Sequence, residues 1–520
     1  MGRIKIQKRG RYTLNQNPLG KKMKKTLIVT ALFLALNTSA QADYQKGLSA
    51  YENGDFTTAF KEYQKVAMQG SAVVQTNLGR MYVNGRGVAK NDKQALFWFK
   101  KAAEQGYENA QYNLGWMYTN GRGVVKDDKR AVFWFKKAAD QGYENAQYGL
   151  GRMYEYGRGV AKDDKQVVFW FKKAAEQGYE NAQTNLGFMY EGGLRGVAKD
   201  DKQAVFWFKK AAVQGDASAQ IKLGAMYAKG RGVVKDDKRA VFWFKKAADQ
   251  GYENAQYGLG RMYEYGRGVA KDDKQVVFWY QKAAEQGHVN AQTSLGLMYE
   301  GGLKGVAKDD KQAVFWYQKA AEQGSAVAQT SFGRMYVNGQ GVAKNDKQAV
   351  FWFKKAAEQG YENAQYNLGW MYTNGRGVVK DDKWAVFWYQ KAAEQGNVDA
   401  QLILGFMYES GQEGVAKDEK QAVFWFQKAA EQGSATAQTM LGARYKIGQG
   451  VAKDEKQAVF WFQKAAEQGD ADAQFILGMM YAKGQGVVKD YKQGLFWLQK
   501  AAKQGNAIAQ GILEAMYANP

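Results

Sequence analysis

The side chains best suited to chemistry are carboxylates in adjacent pairs, such as Asp127–Asp128, Asp163–Asp164 and Asp272–Asp273. Two neighbouring carboxylates could hold a divalent cation or share acid–base work. Their regular recurrence argues for another role. Each pair stands where a helix is expected to begin, and negative charge suits the free N–H groups and dipole of a first helical turn. His288 is the only histidine. One imidazole does not complete a multi-histidine metal site, and its place at a repeat boundary predicts an ordinary surface role. The chain has no cysteine, which removes disulfides, zinc–thiolate sites, iron–sulfur clusters and a thiol nucleophile together. Its G-x-G segments lack the third glycine of a dinucleotide fingerprint, and no G-x-x-x-x-G-K-[ST] follows them. No serine is followed by lysine three positions later, so the S-x-x-K acylation signature is missing. These residues predict no catalytic group, no metal site and no cofactor. What remains is recognition.

The elements that would position a recognition surface are repeated. Trp98, Trp134, Trp170, Trp207, Trp243, Trp279, Trp316, Trp352, Trp388, Trp425, Trp461 and Trp497 stand in the same local sequence. Their spacing runs 36, 36 and 37 residues and then recurs, a super-period of 109. A fixed period of this size predicts a solenoid, in which each unit buries its core against its neighbours. Gly121–Trp170 is identical to Gly230–Trp279 over fifty residues, which reads as recent duplication within the gene.

One copy shows how each unit is built. Ala110, Leu114, Met117 and Tyr118 fall at i, i+4, i+7 and i+8 and share a helical face. Gly121 suits a left-handed helix end, and Gly121–Val124 forms the loop. Asp127 with Arg130 opens a second helix. Most copies have Gln in place of that arginine, as in Asp163-x-x-Gln166, a sequence resembling a capping box. Ala131, Trp134, Phe135 and Ala138 share the buried side of that second helix. A tryptophan that buries ~200 Å² contributes roughly 5 kcal/mol before entropy. Residues 43–70 read as an N-terminal capping hairpin. There Lys61 and Glu62 replace Phe133 and Trp134, giving a more polar cap. Residues 71–505 hold the twelve repeats, and 506–520 form a lone C-terminal capping helix. In that last helix Glu514 replaces the glycine found at Gly115, which is expected to admit the repeat's own second helix.

The segments A-Q-x-x-L-G-x-M-Y (Ala110–Tyr118), G-x-G-V (Gly121–Val124), the following Asp, and W-F-K-K-A-A (Trp134–Ala139) resemble the Sel1-like repeat family, a relative of tetratricopeptide repeats. The resemblance spans about residues 43–517. It implies an all-α solenoid of paired antiparallel helices in a right-handed superhelix, with the first helices lining its concave surface. It also implies scaffold or adaptor work, often by exported bacterial proteins that meet host or envelope partners. Some cysteine-rich relatives are linked to β-lactam binding, and this chain has none of their cysteines.

The twelve copies differ most at first-helix positions off the buried face. The position between Gly and Met reads Arg80, Trp116, Arg152, Phe188, Arg261, Leu297, Arg334, Trp370 and Phe406, with Ala225, Ala443 and Met479 in the other copies. Arginine and aromatic residues dominate binding hot spots, so those nine residues form the expected partner-binding row. A second row lies roughly opposite the buried side of the second helix. It comprises Phe97, Phe133, Phe169, Phe206, Phe242, Phe278, Phe315, Phe351, Phe387, Phe424, Phe460 and Phe496, with Lys129 and Lys136 flanking Phe133. Such a convex apolar ladder would serve self-association or contact with a lipid surface, or else lie partly covered by lysine stems.

The start of the chain predicts export. Met23–Lys25 gives a positive end, Thr26–Leu36 an apolar run and Ala40–Ala42 a cleavage site. The expected signal peptide is therefore 1–42, either with its true start at Met23 or with residues 1–22 as a long n-region. Eleven apolar residues are too few to span a bilayer, so no transmembrane segment is expected in the mature chain. Removing 1–42 removes nine basic and no acidic residues, so the net charge falls from +23 to 23 − 9 = +14. That excess favours acidic partners: a protein, an envelope glycan or a host protein. Lysines alternate with acids along the chain, which argues against nucleic acid. The sequence thus points to a non-catalytic, exported scaffold, periplasmic or extracellular. Two other readings are a hydrolase acting on β-lactams or peptidoglycan fragments, and a structural protein self-assembling through the phenylalanine ladder.

Overall fold

The computed structural model describes residues 41–411 and 415–518. The expected signal peptide lies outside them except for its last two residues. Among the described residues all regular structure is helical. The helices pair into antiparallel hairpins in two units, residues 1–243 and 244–520, and the division falls within the helix Asp237–Asp249. In each unit a first helix such as Glu108–Asn120 packs against a second such as Asp128–Asp140, and the pattern repeats in sequence order. No described helix is long and apolar enough to cross a membrane.

Local chemistry sets each boundary. Asp127 Oδ1 accepts from the Arg130 N–H at 2.9 Å, and Asp163 Oδ1 from the Gln166 N–H at 3.1 Å. The reciprocal half of a capping box does not form there. The Gln166 amide oxygen instead accepts from the Trp170 indole N–H at 3.1 Å. The first helix ends at Gly121 in the left-handed region (φ 66°). The second loop glycine, Gly123, is fixed by its neighbour, because a Cβ there would collide with the carbonyl of Asp92 in the preceding repeat. In two of the longer copies the extra residue leaves a non-glycine at positive φ, Arg195 (56°) and Lys304 (59°).

Inside each hairpin a glycine admits an aromatic ring. A methyl at Gly115 would lie 2.8 Å from Phe135, and one at Gly333 would lie 2.6 Å from Phe353. Phe135 is 5% exposed and Phe353 1%. Glu514, which stands in the place of that glycine in the helix Ala507–Ala518, is exposed. The tryptophans work between repeats. Trp170 joins the cluster of Ala131, Phe135 and Ala138 from the preceding second helix with Leu150 and Met153 from its own first helix. Nine of the twelve are buried, and Trp134, Trp243 and Trp388 are half-buried.

A buried amide relay also links the repeats. The first-helix glutamine of each copy, Gln75 to Gln510, donates its Nε2–H to an alanine carbonyl in the last turn of the preceding second helix, at 2.9–3.4 Å. A second glutamine, at the C-cap of the repeat's own second helix, donates to the first. Gln141 reaches Gln111 at 2.7 Å and Gln359 reaches Gln329 at 2.8 Å. Each of these carbonyls lies in the last turn of its helix, where it also accepts from a backbone N–H just beyond the helix end, as Ala103 does from Gly106 at 3.0 Å. At the N-terminus the polar cap is buried. Glu62 is 3% exposed; it accepts from Lys46 at 2.8 Å and is also paired with Lys65.

Gly333→Val is predicted to destabilise its hairpin by about 1–3 kcal/mol through overpacking against Phe353. Gly511→Ala, in a helix with nothing within contact of the new methyl, is predicted to be neutral or stabilising. Hydrogen exchange in the affected helices measures both.

Candidate functional site

The first-helix row is accessible along its length. Arg80, Arg261, Leu297, Arg334 and Phe406 are exposed, and Trp116, Arg152, Phe188 and Trp370 are half-buried. Several have settled partners. Phe188 and Phe406 pack edge-on against Phe208 and Phe426. Arg152 pairs with Glu155 at 3.4 Å and lies over the Tyr156 ring. Arg261 lies over Tyr265.

At two places the row forms a pocket, one in each unit. Arg80, Val83, Asn84, Phe99, Tyr112, Asn113, Trp116 and Arg122 line a cavity of about 410 Å³. Arg334, Val337, Asn338, Phe353, Tyr366, Asn367, Trp370 and Arg376 line one of about 310 Å³. The residue types match at all eight positions. In both, an arginine from the loop lies over the row tryptophan: Arg122 over Trp116 at 5.4 Å and Arg376 over Trp370 at 5.1 Å. Each loop arginine is pinned by the second Asp or its equivalent in the preceding repeat. Arg122 reaches Asp92 at 2.7 and 3.0 Å, and Arg376 reaches Asp346 at 2.6 and 3.0 Å. The Arg376 guanidinium holds the Asp346 carboxyl below the usual carboxylate range. Burial raises the pKa of the Tyr112 and Tyr366 phenols, which keeps them neutral.

In two Asp doublets the same division of work appears: Asp163 and Asp200 cap their helices while Asp164 and Asp201 tie Arg195 and Arg231 of the next loop, whereas Asp128 faces Lys126 of its own loop at 3.8 Å. Among the described residues no cluster of three or more His, Asp and Glu side chains is arranged to hold a metal ion.

Sequence reasoning named Arg80, Trp116, Arg334 and Trp370 but missed Asn84, Tyr112, Asn113 and Arg122 and their counterparts. The available signal was the unchanged recurrence of residues 97–129 at 351–383, which preserves exposed residues as well as core. Trp384 was also missed. It replaces the usual Gln at the third position of a second helix, is 49% exposed and stacks on Tyr372.

Every ring of the phenylalanine ladder is exposed, from 41% at Phe387 to 51% at Phe133 and Phe242. Each is also partly covered. Phe133 lies edge-on to Trp134, and the lysine over its face is Lys137 at 4.8 Å, not the expected Lys129 or Lys136. A residue four positions on stands one helical turn above, so i+4 supplies the cover. The same pairing recurs from Lys101 over Phe97 to Lys500 over Phe496.

His288 departs from its expected surface role. It is half-buried, stacks on Tyr257 at 4.4 Å, and caps the helix Val289–Gly301 by accepting from the Ala291 N–H at 3.1 Å.

The chain belongs to the Sel1 repeat family. The family model matches twelve consecutive segments from 72–107 to 471–506. The fold is therefore a Sel1-repeat α-solenoid, a class typical of protein–protein interaction scaffolds. Among solved structures, the chain is similar to a protective antigen present in uropathogenic Escherichia coli strains, which displays an SLR fold. The two share 40% identity over 87% of this chain and 97% of that one, with a TM-score of 0.75. A Sel1 repeat protein from Oxalobacter formigenes matches at 33% identity over 46% of this chain and 96% of its own, with a TM-score of 0.41. Cysteine-rich protein B of Helicobacter pylori matches at 32% over 26% and 95%, with a TM-score of 0.22. No curated protein matches the chain.

Burial lowers the pKa of His288 below 6.5, against the opposing charge of Glu253. Its Nδ1 accepts a hydrogen bond only when unprotonated. The stabilisation is therefore complete above about pH 6.5 and is lost as pH falls through the depressed folded-state value. Exchange protection of residues 289–301 should fall between pH 7.5 and pH 5. His288→Asn, which keeps a cap worth about 1 kcal/mol, should remove that pH dependence.

Proposed function

We propose that this chain is an exported, non-catalytic scaffold that captures a protein partner, or an envelope or host component, on its first-helix row. The observation that carries the reading is the pocket repeated with the same eight residue types in two units. Stacking alone requires the buried glycine, alanine, leucine and aromatic positions. It does not require Asn84 with Asn113, or Asn338 with Asn367, beside an exposed arginine and a half-buried tryptophan. Convergent amides, a cation and an aromatic floor are the groups that orient a ligand in a recognition pocket. The positive balance of the chain suits an acidic partner. Export rests on the sequence of residues 23–42. It is in keeping with the 40% identical relative being a protective antigen.

With residues 43–520 as bait against envelope extract and host secretions, a discrete partner is expected. Replacing Trp116, Trp370 and Phe406 together with serine should abolish that capture while leaving helical content unchanged by circular dichroism. Capture that survives the triple replacement contradicts the reading.

A further inference from the structure

The two pockets share their residues but not their charge. In the second, Arg334 is already occupied. Its Nη2 donates to the Glu300 carboxylate at 3.1 and 3.4 Å, and the Tyr317 hydroxyl donates to the same carboxylate at 2.6 Å. In the first, Arg80 donates only to the neutral side-chain oxygen of Asn109 at 2.7 Å, and it makes no ion pair among the described residues. The reason lies in the hairpin before it. Glu300 follows Gly296 by four residues, and Gly296 faces Tyr317. In the N-terminal hairpin Gly47 faces Tyr63 in the same way. The residue four after Gly47 is Tyr51, whose hydroxyl accepts from Arg86 Nη1 at 2.6 Å. The seat that Glu300 fills in one unit therefore has no carboxylate in the other.

We infer that the pocket formed by Arg80, Tyr112, Asn113 and Trp116 is a receptor for a peptide segment carrying a carboxylate beside an aromatic side chain, and that Glu300 closes the equivalent pocket at Arg334 and Trp370 to the same segment. The inference rests on the reading of the first-helix row as the contact surface, and it names what the row recognises. The molecule itself supplies the binding mode, because Glu300 on Arg334 is an acidic side chain held by this arginine. The second arginine of the first pocket does not compete for the ligand's charge. Arg122 is neutralised by Asp92 and held over Trp116, where it stiffens the wall. Phe99 and Tyr112 complete an apolar floor. The Asn113 Nδ2–H is spent on the Asn109 carbonyl at 2.7 Å, which leaves its side-chain oxygen to accept a peptide N–H. A cavity of about 410 Å³ lies at the low end of small-ligand sites and suits one large side chain with its adjoining backbone. An uncompensated guanidinium at the rim of an aromatic floor selects an anionic group through charge-assisted bonds.

The test uses the full chain labelled with 5-fluorotryptophan, with the Trp116 and Trp370 signals assigned by Trp→Phe replacement. The probes are acetyl-Asp-Phe-Asp-amide and its neutral isostere acetyl-Asn-Phe-Asn-amide. The acidic peptide should shift the Trp116 resonance saturably and leave Trp370 unmoved. The neutral peptide should bind roughly tenfold or more weakly, the scale of a lost charge-assisted hydrogen bond. Arg80→Gln should remove the Trp116 response without changing the unliganded spectrum. Glu300→Ala should make Trp370 respond as well; Glu300→Gln, which keeps an acceptor for Tyr317, asks the same question if the alanine variant does not fold. The proposal is overturned by equal binding of the two peptides, by equal response of both tryptophans in the unaltered chain, by an intact response in Arg80→Gln, or by no response to either peptide. If the triple serine variant loses its partner while the acidic peptide fails to bind, the row remains the contact surface and only its ligand is wrong.

Discussion

A glutamine buried where two repeats stack must find partners for its amide there, and twelve of the described second helices end beside one. The glutamine relay answers this constraint. Gln111 donates to the Ala103 carbonyl of the preceding repeat and accepts from Gln141 of its own, so one amide joins three helices. Each such carbonyl also accepts from the N–H of the glycine three residues on, as Ala103 does from Gly106 at 3.0 Å, so what the relay pairs is the buried glutamine amide itself, which would cost about 1–3 kcal/mol if left unsatisfied. Its geometry also fixes how far one hairpin can slide past the next. The tryptophans fill the volume that this spacing leaves. Gly115 and its counterparts bring the two helices of a hairpin close enough for Phe135 and its counterparts to be enclosed.

Once the junctions are fixed by buried residues, the outward positions of the first helix are free to differ. The row from Arg80 to Phe406 uses that freedom, and two of its stretches are pockets. The loops connect stability and recognition most directly. Arg122 ties its own repeat to Asp92 of the preceding one and in the same pose covers the face of Trp116. A contact that holds the stack together therefore also shapes the pocket wall. The outer face of the second helix is treated differently. Its phenylalanines are exposed at the edge, yet each has a tryptophan against it and a lysine over it. A cation held over an aromatic face shields part of it from water.

The solenoid, its helix pairs and most of its core were legible because they are periodic. The helical face from Ala110 to Tyr118, the Asp caps and the glycine that admits a ring can all be read from spacing and residue type. What escaped depends on contacts between residues about thirty positions apart. Gln111 looks like an ordinary polar residue in a helix until its two partners are placed, although its presence in every copy marks it. Arg122 looks like a loop residue, and its pairing with Asp92 requires knowing which loop meets which helix start. The capping box at Asp163 forms only by half, because the Gln166 amide oxygen accepts from the Trp170 indole N–H. His288 was read as a surface residue because nothing local announces its stacking on Tyr257. The pockets were legible only in part. Arg80 and Trp116 drew notice because their position carries arginine or an aromatic ring in most copies, whereas the positions of Asn84 and Asn113 vary as widely, to Tyr156, Lys229 and Gly149 among others, with no residue type that marks a contact.

The stack depends on the glutamine amides coupling neighbouring hairpins. Gln365→Met tests this directly, because it keeps the length of the side chain and removes both of its hydrogen bonds, to Ala357 and from Gln395. Hydrogen exchange followed along the whole chain should show protection lost in the last turn of Asp346–Glu358 and in the helices Glu362–Asn374 and Asp382–Glu394, with distant repeats unchanged. Protection that stays the same across those three helices would contradict it.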